Sequence, residues 1–174
     1  MPSPTPNIYL NPRNEPGTLG HLDLVEPLRS MPRAVEETLA GLPDRALAYR
    51  PADGRWGIRE VVAHLADAAR IYHTRLYMMS TQTDPILRPY DPDALVAARG
   101  DNGAIPGLIA EMKEWRSQTV SLLTSLVNWN WARTGQHLEN GRMSIRQVVE
   151  HMIEHEQEHL EELRRLRAEA LAAA

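Results

Sequence analysis

The sequence predicts an all-α fold, a four-helix bundle that is not a simple up-down-up-down arrangement. Four segments rich in helix-forming residues carry apolar side chains at helical spacing, and none shows the sustained alternation of a half-buried strand. The segment between the second and third helices, 81–105, is longer than an ordinary loop, which favours a crossover. An eleven-residue pattern also occurs twice, as GRWGIREVVAH ending at His64 and GRMSIRQVVEH ending at His151, with seven identical positions. The repeat predicts two related helix pairs.

The first two helices have ends that the sequence marks. The first is predicted at residues 22–42, where two internal prolines kink or delay it and Gly41 helps to end it. The second is predicted at residues 58–80. Gly57 is a tolerable N-cap for it, and Glu60 stands where a side chain can reach back to the N-cap backbone.

The last two helices are predicted from their starts. The third begins near Pro106, because proline suits the first helical turn, and ends around Asn128. The fourth runs from Ser144 towards Ala170. Ser144 and Gln147 have the spacing of a capping box, so this is the best-marked helix start in the chain.

Composition limits the class of protein. The chain has 174 residues, 43% hydrophobic and 24% charged, which suits one globular domain, here placed at residues 21–174 after an extended arm at residues 1–20. A net charge of -4 without a basic block argues against nucleic-acid binding, and no apolar run reaches the roughly 18 residues of a membrane span. Cysteine is absent, which excludes a thiol nucleophile from this chain. We expect a cytoplasmic protein, because the N-terminal residues lack the pattern of a signal peptide.

Three histidines lie four residues apart on the fourth helix, at His151, His155 and His159. Residues at this spacing are about 40° apart around the helix and about 6 Å apart along it. Neighbouring pairs can therefore bind one ion, whereas the outer two are about 12 Å apart and cannot. Neutral imidazole is a leading ligand for zinc, nickel, copper and iron, so the spacing indicates a metal site that needs a third ligand.

His64, the counterpart of His151 in the repeat, is the obvious third ligand. His64 is about the seventh residue of the predicted second helix. If the second and fourth helices are antiparallel and their ends are level, this position lies beside Leu160 of the fourth helix. His159 lies at that level and His155 lies one turn before it, whereas His151 lies a further turn away. Depth therefore selects His64, His155 and His159.

Other interpretations of the same helix remain open. The histidines could belong to a solvated face that is rich in carboxylates. The acidic residues of this face are Glu154, Glu156, Glu158, Glu161 and Glu162.

The same segment also contains H-E-x-x-H, in which Glu156 would be the general base of a metalloprotease. Polar residues between the histidines disfavour this interpretation, and Glu162 and Arg165 replace the glycine and histidine of the extended motif. A di-iron bundle is weaker still, because the second helix has no second E-x-x-H.

Several stretches in order resemble the DinB superfamily, closest to its YfiT-like branch, over about residues 24–166. They are RWGIREVVAHLADAARIYHTRLYMM, DPILRPYD and SIRQVVEHMIEHEQEHLEEL. The resemblance implies an up-down-down-up four-helix bundle, often a homodimer, with one metal ion bound by His64, His155 and His159. Zinc or nickel is the expected ion. Members of the family have been described as metal-dependent hydrolases, and other branches are transferases that use a low-molecular-weight thiol.

Three function classes follow, in this order: a thiol-dependent S-transferase acting on electrophiles, a hydrolase that uses metal-bound water, and a non-catalytic metal- or ligand-binding stress protein. The substrate is expected to be a small molecule. Arg75 and Arg88 could bind an anionic thiol cosubstrate, and Tyr90 could form part of the pocket wall. The residues that could support the ligands or contact substrate are Asp67, His151, Glu156, Arg75, Arg88 and Tyr90.

Overall fold

The computed structural model describes residues 20–100 and 103–173, so the arm predicted at residues 1–20 lies, except for Gly20, outside the described residues. Within those ranges the chain forms helices, two short 3-10 segments and three short strands. The helices are α1 Val25–Leu39, α2 Asp44–Leu47, α3 Ile58–Thr81, α4 Pro92–Arg99, α5 Ile105–Ser125 and α6 Ile145–Ala172. The four predicted helices correspond to α1, α3, α5 and α6, which confirms the all-α bundle.

The two copies of the repeat begin helices at equivalent positions. The N–H of Gly57 donates to Glu60 Oε2 at 2.9 Å, and the N–H of Ser144 donates to Gln147 Oε1 at 2.9 Å. Each carboxylate or amide thereby satisfies a backbone donor that the helix start leaves without an intrahelical partner. A Cβ at residue 57 would overlap the carbonyl oxygen of Tyr49, so this N-cap requires glycine.

Helices α3 and α6 are antiparallel neighbours. Arg55, just before α3, lies 3.3 Å from the carboxylate of Glu169 near the end of α6. Further along α3, the ring of Tyr72 lies 6.3 Å from that of His151, two turns into α6. The start of α3 is thus beside the end of α6, as the depth comparison assumed.

Helix α5 runs in the same direction as α3. The Arg59 guanidinium, in the first turn of α3, donates to the carbonyl of Gly103, just before α5, at 3.2 Å. His73 Nδ1 lies 3.2 Å from the hydroxyl of Thr119, about four turns further along both helices. The connection between these two helices is therefore a crossover along the length of the bundle.

Helix α1 completes the up-down-down-up topology. Glu36, near the end of α1, pairs with Lys113 in the first half of α5 at 2.8 Å. Arg29, near the start of α1, lines one cleft together with Val120 in the second half of α5. Helix α1 is thus antiparallel to α5, so α1 and α6 run one way and α3 and α5 the other.

A three-stranded sheet at one end of the bundle was not predicted. Strand β1 (Ile86–Leu87) pairs in parallel with β2 (Thr134–His137), which pairs antiparallel with β3 (Gly141–Ser144). Strands of two to four residues are too short to show an alternating pattern in sequence. The sheet joins the crossover to the hairpin that precedes α6.

The crossover is attached at both ends. The carboxylate of Asp84 accepts hydrogen bonds from Gln136 at 2.7 Å and Arg142 at 2.6 Å. At the other end, Arg99 of α4 makes two hydrogen bonds of 2.9 Å to Asp67 of α3. The predicted long loop is therefore a strap, here defined as residues 84–99, with a strand, a helix and fixed ends.

All four long helices contribute to the apolar core. Val35, Leu65, Met112 and Leu163 are buried in one cluster at the end of the bundle where α6 finishes. Burial of such side chains is the main contribution to the stability of a bundle. No helix in the described ranges combines the length and apolar character needed to cross a membrane.

Candidate metal centre

The structure brings together the three histidines that the depth comparison selected. His64, His155 and His159 each offer one ring nitrogen, and these atoms all lie within 4.8 Å of one another. Nε2 of His64 is 2.9 Å from Nε2 of His155. Ring centroids are 4.9 Å apart for His64 and His155, and 4.6 Å apart for each of these with His159.

The position of each histidine follows from the helices that carry it. His64 lies in the second turn of α3, and His155 and His159 lie in consecutive turns near the middle of α6. Because residues four apart share a helix face, both α6 histidines face α3. The antiparallel contact of the two helices places His64 against them.

Burial keeps two of these imidazoles neutral. His64 is 3% exposed. Burial, helped by His159 and opposed by Asp67, lowers the pKa of His64 to about 4. Burial and the neighbouring histidines lower the pKa of His155 to about 3. Near pH 7 both rings are therefore in the unprotonated form that binds metal ions.

Glu162 fixes the orientation of the third imidazole. Nδ1 of His159 is 2.8 Å from the carboxylate of Glu162, one turn further along α6. With Nδ1–H donating to this carboxylate, the lone pair of Nε2 is left for a ligand, as is common for histidines that bind metals. From the sequence alone, Glu162 was considered only as one of the carboxylates of a possible solvated face. Its position three residues after a ligand was the signal that could have identified it.

The three histidines fit a divalent ion. Zinc–nitrogen bonds of about 2.0–2.1 Å place two ligand nitrogens about 3.3 Å apart at a tetrahedral angle. The Nε2 atoms of His64 and His155 are already close to that spacing, and the third nitrogen needs only a short movement. Nδ1 of His64 and Nδ1 of His155 are buried without a hydrogen-bond partner among the described residues. The described part of the chain thus does not itself compensate the burial of these two rings.

Aromatic side chains form the walls of the site. The ring of Trp56 lies 5.1 Å from that of His64, and the ring of Tyr90 lies 6.4 Å from it on the strap. The ring of Tyr72 lies 6.0 Å from that of His155. Burial raises the pKa of both tyrosines, so they are neutral at physiological pH. Tyr90 is thus at the wall of the site, where the sequence led us to expect it, and Trp56 also packs against the apolar core.

Asp67 makes its hydrogen bonds to arginines. It lies one turn after His64 and is 4% exposed. Besides the two bonds from Arg99, it accepts one from Arg70 at 3.4 Å. Arg99 also donates to Glu111, and these bonds raise the pKa of the Arg99 guanidinium. Asp67 therefore anchors the strap.

Arg75 lies next to the aromatic walls. Its Nη2 donates to the carbonyl of Arg88 at 2.7 Å, and its Cζ lies 5.8 Å from the ring centroid of Tyr72 and 5.6 Å from that of Tyr90. Arg75 is buried, whereas Arg88 is exposed. Of the two predicted anion-binding arginines, only Arg75 has its side chain inside the protein.

The structure does not bring His151 and Glu156 to the three histidines. His151 is exposed, and its ring contacts Tyr72. Glu156 is 1% exposed and forms a buried ion pair with Arg116 of α5. Burial raises the pKa of Glu156, while Arg116 lowers it. The carboxylate that the H-E-x-x-H pattern would use as a base is thus paired with α5 instead of lying among the three histidines.

The sequence matches the DinB superfamily over residues 28–163. It is 27% identical over 121 residues to a proposed metal-dependent hydrolase from Oceanobacillus iheyensis, which covers 70% of each chain. YfiT of Bacillus subtilis, also named as a proposed metal-dependent hydrolase, is 28% identical over 114 residues, 65% of this chain and just under two thirds (64%) of YfiT.

The solved structure of Bacillus subtilis YfiT, described as an unusual four-helix bundle, matches with a TM-score of 0.80 at 22% identity over 91% of both chains. This structural match supports the up-down-down-up bundle that the contacts between helices show.

Proposed function

The chain belongs to the DinB superfamily, and on that premise we propose that it is a metal-dependent enzyme that activates a small nucleophile at His64, His155 and His159. The observation that carries the proposal is the convergence of three ring nitrogens, from two helices, within 4.8 Å. A divalent ion bound there acts as a Lewis acid that lowers the pKa of a coordinated water or thiol. We propose zinc or nickel, because imidazole ligands suit both.

The side chains around the histidines have separate tasks in this proposal. Glu162 holds the His159 ring in the tautomer that leaves Nε2 unprotonated. Trp56, Tyr72 and Tyr90 exclude bulk water from three sides, which strengthens electrostatic interactions within the site. Three neutral ligands leave the full charge of the ion to act on the nucleophile.

Hydrolysis, with water as the nucleophile, is the first candidate reaction. Relatives of this chain from Oceanobacillus iheyensis and Bacillus subtilis are named as proposed metal-dependent hydrolases. A histidine set with room for further ligands is typical of catalytic rather than structural zinc sites, which are usually closed by four protein ligands.

Transfer of a low-molecular-weight thiol to an electrophile is the second candidate, and sequence analysis placed it first. The observation that favours it is the buried cation of Arg75 beside Tyr72 and Tyr90, because thiols such as glutathione carry carboxylates. A homodimer and a cytoplasmic location stay predictions. Light scattering of the purified protein tests the first of these.

Metal analysis of untagged protein tests the site. We expect about one divalent ion per chain in the wild type and at least a 100-fold loss of affinity in His155→Ala, because a ligand is removed. His151→Ala is the matched control, since it removes a histidine one turn away that lies outside the cluster, and it should keep the metal. Equal metal content in His155→Ala and the wild type would refute the proposal.

Turnover assays then separate the reactions. A hydrolase cleaves an ester panel in buffer alone, whereas a transferase consumes an electrophile such as 1-chloro-2,4-dinitrobenzene only when a thiol is added. Whichever activity the wild type shows should disappear in His155→Ala and persist in His151→Ala. Stoichiometric metal without either activity would support the third class, a non-catalytic binding protein.

A further inference from the structure

Three arginines in the described part of the chain are more than nine-tenths buried, and one of them differs from the other two. Arg116 pairs with Glu156, and Arg146 pairs with Glu150 at 2.7 Å. Arg75 is 7% exposed and forms no salt bridge with any carboxylate in those ranges. A buried guanidinium keeps its charge at every physiological pH, so its burial is costly unless an anion compensates it.

The groups around Arg75 only partly compensate that charge. One N–H group donates to the carbonyl of Arg88, and the rings of Tyr72 and Tyr90 lie on either side at 5.8 and 5.6 Å. A carbonyl and two aromatic rings stabilise a cation, but they carry no negative charge. Within the described chain the guanidinium therefore has neutral neighbours and no counter-ion.

Arg75 is also close to the candidate metal centre. Its Cζ is 5.6 Å from the ring centroid of Tyr90, which is 6.4 Å from that of His64. Through Tyr72 the corresponding distances are 5.8 Å and then 6.0 Å to His155. By either route a single aromatic ring lies between the guanidinium and a histidine of the cluster, so the buried cation is a close neighbour of the candidate metal centre.

We propose that Arg75 binds a carboxylate of the molecule that reacts at the three histidines. The molecule is then a small carboxylate-bearing substrate or cosubstrate, and this inference rests on the proposed function and deepens it. The planar guanidinium matches a carboxylate through two parallel hydrogen bonds. A single buried cation balances one negative charge, whereas a phosphate would leave about one further charge uncompensated.

The carboxylate can belong to a thiol or to a hydrolysable substrate, and two pairs of probes distinguish these sources. The thiol pair is 3-mercaptopropionate and 3-mercaptopropionamide, followed by the thiolate-to-cobalt absorption of the cobalt-loaded protein. The ester pair is monomethyl succinate and its amide counterpart, followed by calorimetry. In each pair the two compounds differ in the charge of one group.

The wild type should bind the carboxylate of at least one pair about 10- to 100-fold more tightly than the amide, the usual range for hydrogen bonds to a charged group. Arg75→Gln should lose that preference while binding the amide within about twofold and loading cobalt as before. Arg75→Lys keeps the positive charge but loses the paired N–H donors of the guanidinium, so it should retain part of the preference for the carboxylate. This variant replaces Arg75→Gln in the test if Arg75→Gln does not fold. Arg88→Gln is the control and should keep the full preference for the carboxylate.

Cobalt loading together with no Arg75-dependent preference in either pair would overturn the assignment. A preference that is lost in Arg88→Gln and kept in Arg75→Gln would also overturn it. Direct chelation of cobalt by a carboxylate gives a preference that Arg75→Gln leaves intact, and so counts against the proposal. A protein that takes up no cobalt refutes the proposed function instead, while calorimetry with the ester pair still decides whether Arg75 recognises a carboxylate.

Discussion

Two buried polar clusters of helix α6 begin at adjacent residues, whose side chains point about 100° apart around the helix. His155 faces α3, where it meets His64 and His159. Glu156 faces α5, where it meets Arg116. Both clusters are buried, but their electrostatics differ. In the Arg116–Glu156 pair opposite charges are in contact, whereas in the histidine cluster three like groups are in contact.

The difference teaches how a buried polar group reveals its role. Arg116 and Glu156 neutralise each other's charge, so no counter-ion from outside the chain is needed. Three of their side-chain atoms, Nε and Nη1 of Arg116 and Oε2 of Glu156, still have no hydrogen-bond partner among the described residues. His64 and His155 have their pKa values lowered by burial, and a ring nitrogen of each has no partner among the described residues. Polar groups with an internal counter-charge need no external ion, whereas a set of similar groups without one indicates an external ligand.

Removing one side of the ion pair should have the largest effect. Arg116→Met leaves the Glu156 carboxylate buried without a counter-charge, and we expect a loss of about 3–5 kcal/mol in the free energy of unfolding. Urea denaturation measures it. Metal affinity should change little, because neither Arg116 nor Glu156 belongs to the histidine cluster.

A double variant sharpens the same comparison. Arg116→Met with Glu156→Leu replaces both charges by apolar groups, and most of the lost stability should return. If the double variant were as unstable as the single one, the cost would lie in packing, and the distinction between the two clusters would fail.

The histidine cluster should make the metal-free protein sensitive to acid. The pKa of His64 is about 4 in the folded protein against 6.5 for a free histidine. Between these values the unfolded chain binds more protons, so stability falls as the pH drops below 6.5 and the loss is complete near pH 4. This contributes on the order of 3 kcal/mol. Glu156 has the opposite sign, since its raised pKa favours folding as the pH falls.

Urea denaturation of metal-free protein between pH 7 and pH 4 tests the sign. The variant carrying His64→Gln and His155→Gln should show a smaller dependence on pH than the wild type. An unchanged dependence would assign the acid sensitivity to other groups.

The smallest predicted effect concerns Glu162. Glu162→Gln weakens the acceptor that orients His159, and we expect metal affinity to fall about 10-fold with little change in stability. Competition with a chromogenic chelator measures the affinity. Glu158→Gln makes the same change at an exposed position one turn earlier, and its metal affinity should stay within about twofold of the wild type. An equal fall in both variants would mean that the loss of negative charge, and not the loss of the hydrogen bond to His159, lowers the affinity.

The sequence predicted those parts of the structure that depend on local signals. Capping residues near Gly57 and Ser144 marked two helix starts. The repeat identified His64 as a candidate ligand, and its depth in the helix then selected His155 and His159 as its partners. These signals lie within a few turns of one helix, or within two helices that the repeat relates.

The rest depends on contacts between residues distant in the chain. Strand β1 has two residues and exists because Ile86 lies beside Gln136, far along the chain. Arg99 meets Asp67 only after the crossover has returned along the bundle. Glu162 faces the site because of its position on the helix, which the charge-rich sequence around it obscured.

The attachment of the strap at both ends has a consequence for how the protein tolerates change. Tyr90 lies between the anchors at Asp84 and Arg99, neither of which is among the three candidate ligands. A neutral substitution at either anchor would release one side of the wall that faces His64. Substitutions at these distant positions can therefore alter which molecules the site accepts while the candidate ligands themselves stay the same.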